Sequence, residues 1–154
     1  MSQRNVIQTT FDEFGRAAFT TKKSGSRHRQ SAETIVVLHL QKSNYGPRYY
    51  VNVAVWLLEA GPATAPKPWE CHVQTRLGRV VPRGVDDRLR ELLDLDAPIA
   101  DDVRREELLG VWREHLLPVR EAAATLNGLR SGDGLRLVQA SLVNGEGQRL
   151  LAGR

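Results

Sequence analysis

Residues 34–43 (TIVVLHLQKS) and 48–57 (RYYVNVAVWL) are two runs rich in β-branched and aromatic residues, separated by the turn cluster Ser43, Asn44, Tyr45, Gly46 and Pro47. Such side chains fit a pleated, half-buried surface, and Asn, Gly and Pro supply the reversal. The pair therefore predicts an antiparallel hairpin with strands at 35–41 and 49–57. Residues 69–78 (WECHVQTRLG) read as a further strand spanning 70–79, reached over a connection at 60–68 stiffened by Pro62, Pro66 and Pro68 and closed by Pro82 and Gly84.

Upstream, Val6, Ile7, Phe11 and Phe14 recur at helical spacing, which predicts a short helix ended by Gly15. Residues 17–29 read as a basic hairpin that reverses at Ser24, Gly25 and Ser26. After Asp86 the period becomes helical. Leu89, Leu92 and Leu93 form one stripe, and Asp101 or Asp102 starts a longer helix burying Leu108, Leu109, Trp112, His115 and Leu116. Pro118 predicts a kink or a new helix, because its ring lacks an N–H and meets the carbonyl four residues back. Val119, Ala122, Ala123 and Leu126 carry the apolar face on to Gly128. Residues 131–134 (SGDG) read as a loop, and Leu135, Val138 and Leu142 suggest a last short helix before Gly145, with a poorly specified tail from Gly147. Strands first and helices later predict an α+β class: an antiparallel sheet of about four to five strands with helices packed on one face, forming one domain over residues 1–154.

With 41% apolar and 26% charged residues and no apolar run near the roughly 18 residues of a membrane span, the expectation is a soluble protein that does not enter a membrane. The single Cys71 has no internal disulfide partner and the first residues lack the apolar core of a secretory signal, so the expected compartment is the cytoplasm. The net charge of +4 is unevenly spread. Arg16, Lys22, Lys23, Arg27, Arg29, Lys42 and Arg48 face only Glu33 between residues 16 and 50, whereas acids dominate 86–107. The basic segment is a candidate nucleic-acid surface, although two oppositely charged segments also attract each other.

Strand side chains alternate between faces, so parity sorts the polar interruptions. Val36, Leu38 and Leu40, with Val51, Val53, Val55 and Leu57, form the face expected beneath the helices, joined by Cys71, Val73, Thr75 and Leu77. The opposite face gathers His39, Gln41, Tyr50, Asn52, Trp56, His72, Gln74 and Arg76. An open antiparallel sheet with one side in water is one reading of this face; aromatic, amide, imidazole and guanidinium groups together resemble a recognition surface more than a plain solvated one, and in that reading Tyr50 and Trp56 would anchor a partner and Arg76 would pair with a carboxylate or phosphate.

Catalytic chemistry has less support. Cys71 and His72 are neighbours in the chain, and on a strand they point to opposite faces, so no thiol–imidazole dyad is expected and Cys71 reads as a buried structural residue. His39 and His72 lack a third ligand at a known spacing, so neither a metal nor another cofactor is expected. An enzyme using His39, His72 and Arg76 requires a concave pocket into which all three converge.

Residues 19–29 (FTTKKSGSRHR), 38–46 (LHLQKSNYG), 49–56 (YYVNVAVW) and 69–78 (WECHVQTRLG) resemble, in order and spacing, the family known as domain of unknown function 4304. The resemblance runs well over residues 5–80 and more loosely beyond. It implies a bacterial α+β domain and carries no activity. His28 stands where such sequences more often have an aromatic residue, and residues 81–95 lack an expected tryptophan-rich piece. The combined expectation is a non-catalytic protein-binding or accessory module, immunity-like in kind, recognising an unknown protein partner through its polar sheet face.

Overall fold

The computed structural model describes residues 4–23 and 25–153. Helix α1 (Val6–Ala18) starts at Asn5, whose side chain accepts from the Gln8 N–H while the Gln8 side chain accepts from the Asn5 N–H, a reciprocal cap contributing about 1 kcal/mol. The helix runs on through Gly15 instead of stopping there. A Cβ at Gly15 would lie 2.7–2.9 Å from Nε, Cδ and Cγ of Arg27, so the residue is a contact point for a buried arginine and not a stop signal.

Strands β1 (Thr21–Lys23), β2 (Ser26–Gln30), β3 (Thr34–Lys42), β4 (Tyr49–Leu57), β5 (Val73–Arg76) and β6 (Leu142–Val143) form one antiparallel sheet in sequence order, six strands among the described residues. The class is α+β as expected, with one strand more than the four to five anticipated. The extra strand is β6, where Leu142 pairs with Gln74 instead of closing a helix. The basic hairpin is β1–β2; Gly25 carries φ 80°, and Ser24 of its expected reversal lies outside the described residues.

Helices α2 (Arg83–Leu92), α3 (Asp101–Ala122), α4 (Gly132–Gln139) and α5 (Gly145–Ala152) complete the chain. The SGDG stretch opens α4 behind Ser131 and is not a loop, and the tail from Gly147 lies in α5, whose first turn is capped by the Asn144 side chain accepting from the Gly147 N–H. Helix α3 continues through Pro118. The carbonyl that Pro118 cannot serve belongs to Glu114, and both residues are exposed, so it is left on the solvent side.

The main core lies between one sheet face and the helices. Val36, Leu38, Val51, Val53, Val55 and Val73 meet Phe11, Phe14 and the fully buried Trp112, whose ring lies 5.9 Å from Phe11 edge-on and 5.7 Å from Phe14. Thr34 and Ser31 fix the end of α3 to the start of β3 by donating to the carbonyls of Ala123 and Ala124, both at 2.6 Å. A second, smaller cluster of Ile35, Val37, Ala54 and Cys71, with Trp56, Leu58 and Ala63 against it, lies on the opposite sheet face. Cys71 was expected beneath the helices. It falls on the other side because the strand begins only at Val73, after a 3-10 turn at Pro68–Glu70, so parity does not extend back to it.

Candidate functional site

Register turns the second sheet face into rows. Gln41 pairs with Tyr50; His39 with Asn52 and Asn52 with Arg76; Val37 with Ala54, Ala54 with Gln74 and Gln74 with Leu142; Ile35 with Trp56. The last two rows are largely roofed by the chain's own proline-rich connection. There the Trp56 indole donates to the Gly61 carbonyl at 2.9 Å, and His28 Nε2 sits 2.9 Å from the Pro66 carbonyl oxygen. The first two rows are open.

Of the eight expected site residues, His39, Gln41, Tyr50, Asn52 and Arg76 lie in the two open rows, and Gln74 lies at the β5 end of the third row, where it lines the same groove as Gln41, Asn52 and Arg76; Trp56 and His72 belong to the roofed part. His72 precedes β5. Its Nδ1 accepts from the Leu57 N–H at 3.0 Å, taking the place of a strand partner, and its ring packs 4.5 Å from Trp56. Burial holds this imidazole below its ordinary range, against the opposing pull of the Glu146 carboxylate, which keeps it in the neutral form that the Leu57 bond requires. Cys71 is also buried. Burial, reinforced by the Glu70 carboxylate, pushes its thiol up to about 12, far from the thiolate that nucleophilic chemistry needs.

In the open rows the Asn52 amide donates to His39 Nδ1 at 3.2 Å and to Gln41 Oε1 at 3.0 Å. His39 is thereby the Nε2–H tautomer, and its burial lowers its pKa in the same sense. The Asn52 bonds use both amide protons and leave its oxygen and the Gln41 –NH₂ directed at nothing else among the described residues. Arg76 lies flat on the diagonal neighbour Tyr50, its guanidinium carbon 3.9 Å from the ring centroid. The stack fixes the guanidinium in place and leaves its N–H groups unpaired among the described residues.

Two depressions flank this arginine. A groove of about 510 Å³ runs from Gln41 and Asn52 past Gln74, Arg76 and Arg79 to Trp69 and Leu142. A cleft of about 510 Å³ on the other side is bounded by Arg48, Tyr50, Arg76 and Arg79 and by the acids Asp86, Glu91 and Asp94 along α2 and its C-terminal turn. Trp69, Leu142 and Arg79 were absent from the expected site. Trp69 and Leu142 are 63% and 75% exposed, and an exposed Trp beside a strand is a signal the sequence carried. Neither depression is bordered by both His39 and His72, so the three residues of the enzymatic reading do not converge.

The basic segment is dispersed. Arg27 is buried beside Asp12, Lys22 approaches the same carboxylate at 3.8 Å, and Arg29 lies 3.9 Å from Glu121. Arg48 instead borders the cleft beside Tyr50, Arg76 and Arg79.

Together these features define an α+β protein with a sequential antiparallel meander, helices on one face and a half-roofed polar second face. The chain belongs to the family described as domain of unknown function (DUF4304), whose model matches residues 12–122. That match contains β1 to β5 and the open rows; the Leu142 wall of the groove lies beyond it. No curated protein and no solved structure matches the chain. Among the described residues, no helix is long and apolar enough to cross a membrane.

Proposed function

We propose that this chain is a cytoplasmic, non-catalytic binding module, accessory or immunity-like in kind, that holds a protein partner on the open rows of its second sheet face. One observation carries the reading: the chain roofs one half of that face with its own proline-rich connection and leaves uncovered the half with the Tyr50–Arg76 stack and the Gln41 and Asn52 amides. Pre-stacked guanidinium and aromatic groups suit recognition, since little side-chain freedom is left to lose on binding. The nucleic-acid reading of the basic segment is weakened by the internal pairing of Arg27, Lys22 and Arg29.

A photo-crosslinking residue placed at Gln41 or Gln74 in the native cell tests this. The expected result is a discrete cross-linked protein that is absent when the same residue replaces Arg113, exposed on α3 behind the other sheet face. Equal cross-linking from all three positions, or from none, would remove the proposal.

A further inference from the structure

We infer that the segment bound in the groove beside β5 is an extended acidic peptide of the partner, with a carboxylate on Arg76 and Arg79 and an aliphatic side chain against Trp69 and Leu142. This rests on the open-face reading above and gives the partner its chemistry. The groove carries two unlike ends. One presents Arg76 and Arg79, both exposed; the other presents the exposed Trp69 and Leu142, and no carboxylate lies in its walls. Arg88, Arg90, Arg105, Arg120, Arg136 and Arg149 each hold a carboxylate, whereas Arg76 and Arg79 hold none among the described residues. Arg16, Arg48, Arg83 and Arg113 hold none either, but of the unpaired arginines only Arg76 and Arg79 line this groove. Two guanidiniums that line one groove without a counter-charge are matched by an acidic segment that can serve both. Thr75 and Ser141 add no recognition, because their hydroxyls already donate to the carbonyls of Ala140 and Leu137. The Gln41 and Gln74 amides remain for a peptide backbone.

A peptide fits better than a nucleic-acid strand for two reasons. Behind Arg76 and Arg79 the second cleft mixes Arg48 and Arg90 with Asp86, Glu91 and Asp94, and Asp86 and Glu91 already pair with Arg90 and Arg88, so it offers a phosphate chain no continuous cationic track past the arginines. The Tyr50 ring is already covered by Arg76, leaving Trp69 as the one aromatic face in the groove for a base, and Lys67 stands 5.5 Å over that ring. The cationic strip is therefore short, suited to one or two carboxylates.

The test is to pan the folded chain against a phage-displayed random peptide library and to measure the enriched sequences as synthetic peptides by fluorescence anisotropy. The expected peptides carry Asp or Glu beside an aliphatic residue. Their affinity falls roughly tenfold or more with Arg76→Ala, Arg79→Ala or Trp69→Ala, a change matching loss of one charge-assisted bond or one buried anchor, and is unchanged with Arg113→Ala. Replacing the peptide's acids by their amides gives the same loss without touching the protein, so the result does not depend on a variant folding. Peptides that lack acids, yet lose affinity with Gln41→Ala or Gln74→Ala, would overturn the acidic assignment and leave the open-face reading standing. Peptides insensitive to every groove substitution would overturn both. An eight-residue oligouridylate that displaces the peptide and is itself lost with Arg76→Ala would replace the peptide by nucleic acid.

Discussion

Arg104 is a buried cation held by backbone carbonyls alone. Its side chain is 2% exposed and faces no carboxylate; its Nη1 donates to the carbonyls of Glu91, Leu92 and Asp94 at 3.2, 2.5 and 2.9 Å, and its Nη2 to that of Ala97 at 3.0 Å. The cation thus sits at the C-terminal end of α2, where the helix dipole is negative, and gathers the turn that follows. That turn pairs Tyr49 N–H with the Leu93 carbonyl and Leu95 N–H with the Pro47 carbonyl, so Arg104 also fastens the far wall of the Arg48–Arg76 cleft. Arg104→Met keeps much of the volume and strands the buried carbonyls. Bonds to a charged group contribute about 1.5–3 kcal/mol each, but four bonds from one cation are not additive, and some of the gain only offsets its desolvation. About 3–5 kcal/mol of lost stability is the expected sum. Urea unfolding followed by circular dichroism should show the midpoint falling at constant slope, and the melting temperature dropping by roughly 8–16 °C for a chain of this size. Arg104→Lys, with a charge but no fork, should recover less than half. A loss below about 1 kcal/mol in Arg104→Met would refute the assignment of these carbonyls to the guanidinium.

Three other perturbations have opposite or null signs that make them informative. Gly15→Ala, which in an exposed helix interior stabilises by about 1 kcal/mol, should instead destabilise by roughly 1–3 kcal/mol, because the new methyl meets the middle of the buried Arg27 side chain; a higher melting temperature would contradict the contact. Because the folded chain holds His72 neutral, the unfolded chain takes up the proton first as pH falls. Stability should be full above about pH 6.5 and decline below it, down to the folded-state pKa, by at most about 1.4 kcal/mol per pH unit from this residue. His39 shifts the same way, so urea midpoints across that range should flatten in part with His72→Gln and further with His39→Gln added; no flattening would deny the Leu57 bond its role. Cys71 should be inert to an aromatic disulfide reagent at about pH 8 until the chain is unfolded, and rapid reaction of the native protein would contradict its burial.

The centre of the sheet was legible because β3 and β4 are long, alternate cleanly and join through a short turn; the faces of their nine paired positions follow from parity, and the turn then sets which residues pair. Where an element is short, the same rule fails. β5 has four residues, so extending its alternation back to His72 and Cys71 assigned both to faces defined by a strand that had not yet begun. Leu142 shows the complementary limit. Its spacing from Leu135 and Val138 is helical, yet Ala140 and Ser141 close α4 and the chain adds two residues to the open edge of β5, a gain set by an edge some 70 residues away and invisible to local period. Trp69 lies in the 3-10 turn before β5, outside the alternating segment, so strand parity assigns it no face. The roof over Trp56 and His72 depends on how a proline-rich connection folds back, which composition does not encode.

The positive charge of the chain has a structural use that bears on its partners. Arg120 donates to the Ala18 carbonyl at the end of α1, Arg104 to those ending α2, and Arg130 to the Leu150 and Leu151 carbonyls ending α5. Each supplies a cation where a helix dipole is negative and last-turn carbonyls lack partners. Of the basic residues between 16 and 50, Arg27, Lys22 and Arg29 are likewise turned toward Asp12 and Glu121. Much of the basicity is therefore spent inside the fold, and a net charge of +4 overstates what a polyanion would meet. The guanidiniums left without an internal partner among the described residues include Arg48, Arg76 and Arg79, which stand together beside the open rows of the sheet. It is the placement of Arg76 and Arg79 beside Trp69 and the Gln41 and Asn52 amides, and not the overall charge, that gives the second face a direction: a cationic centre, an apolar end and a mixed-charge limit set by α2.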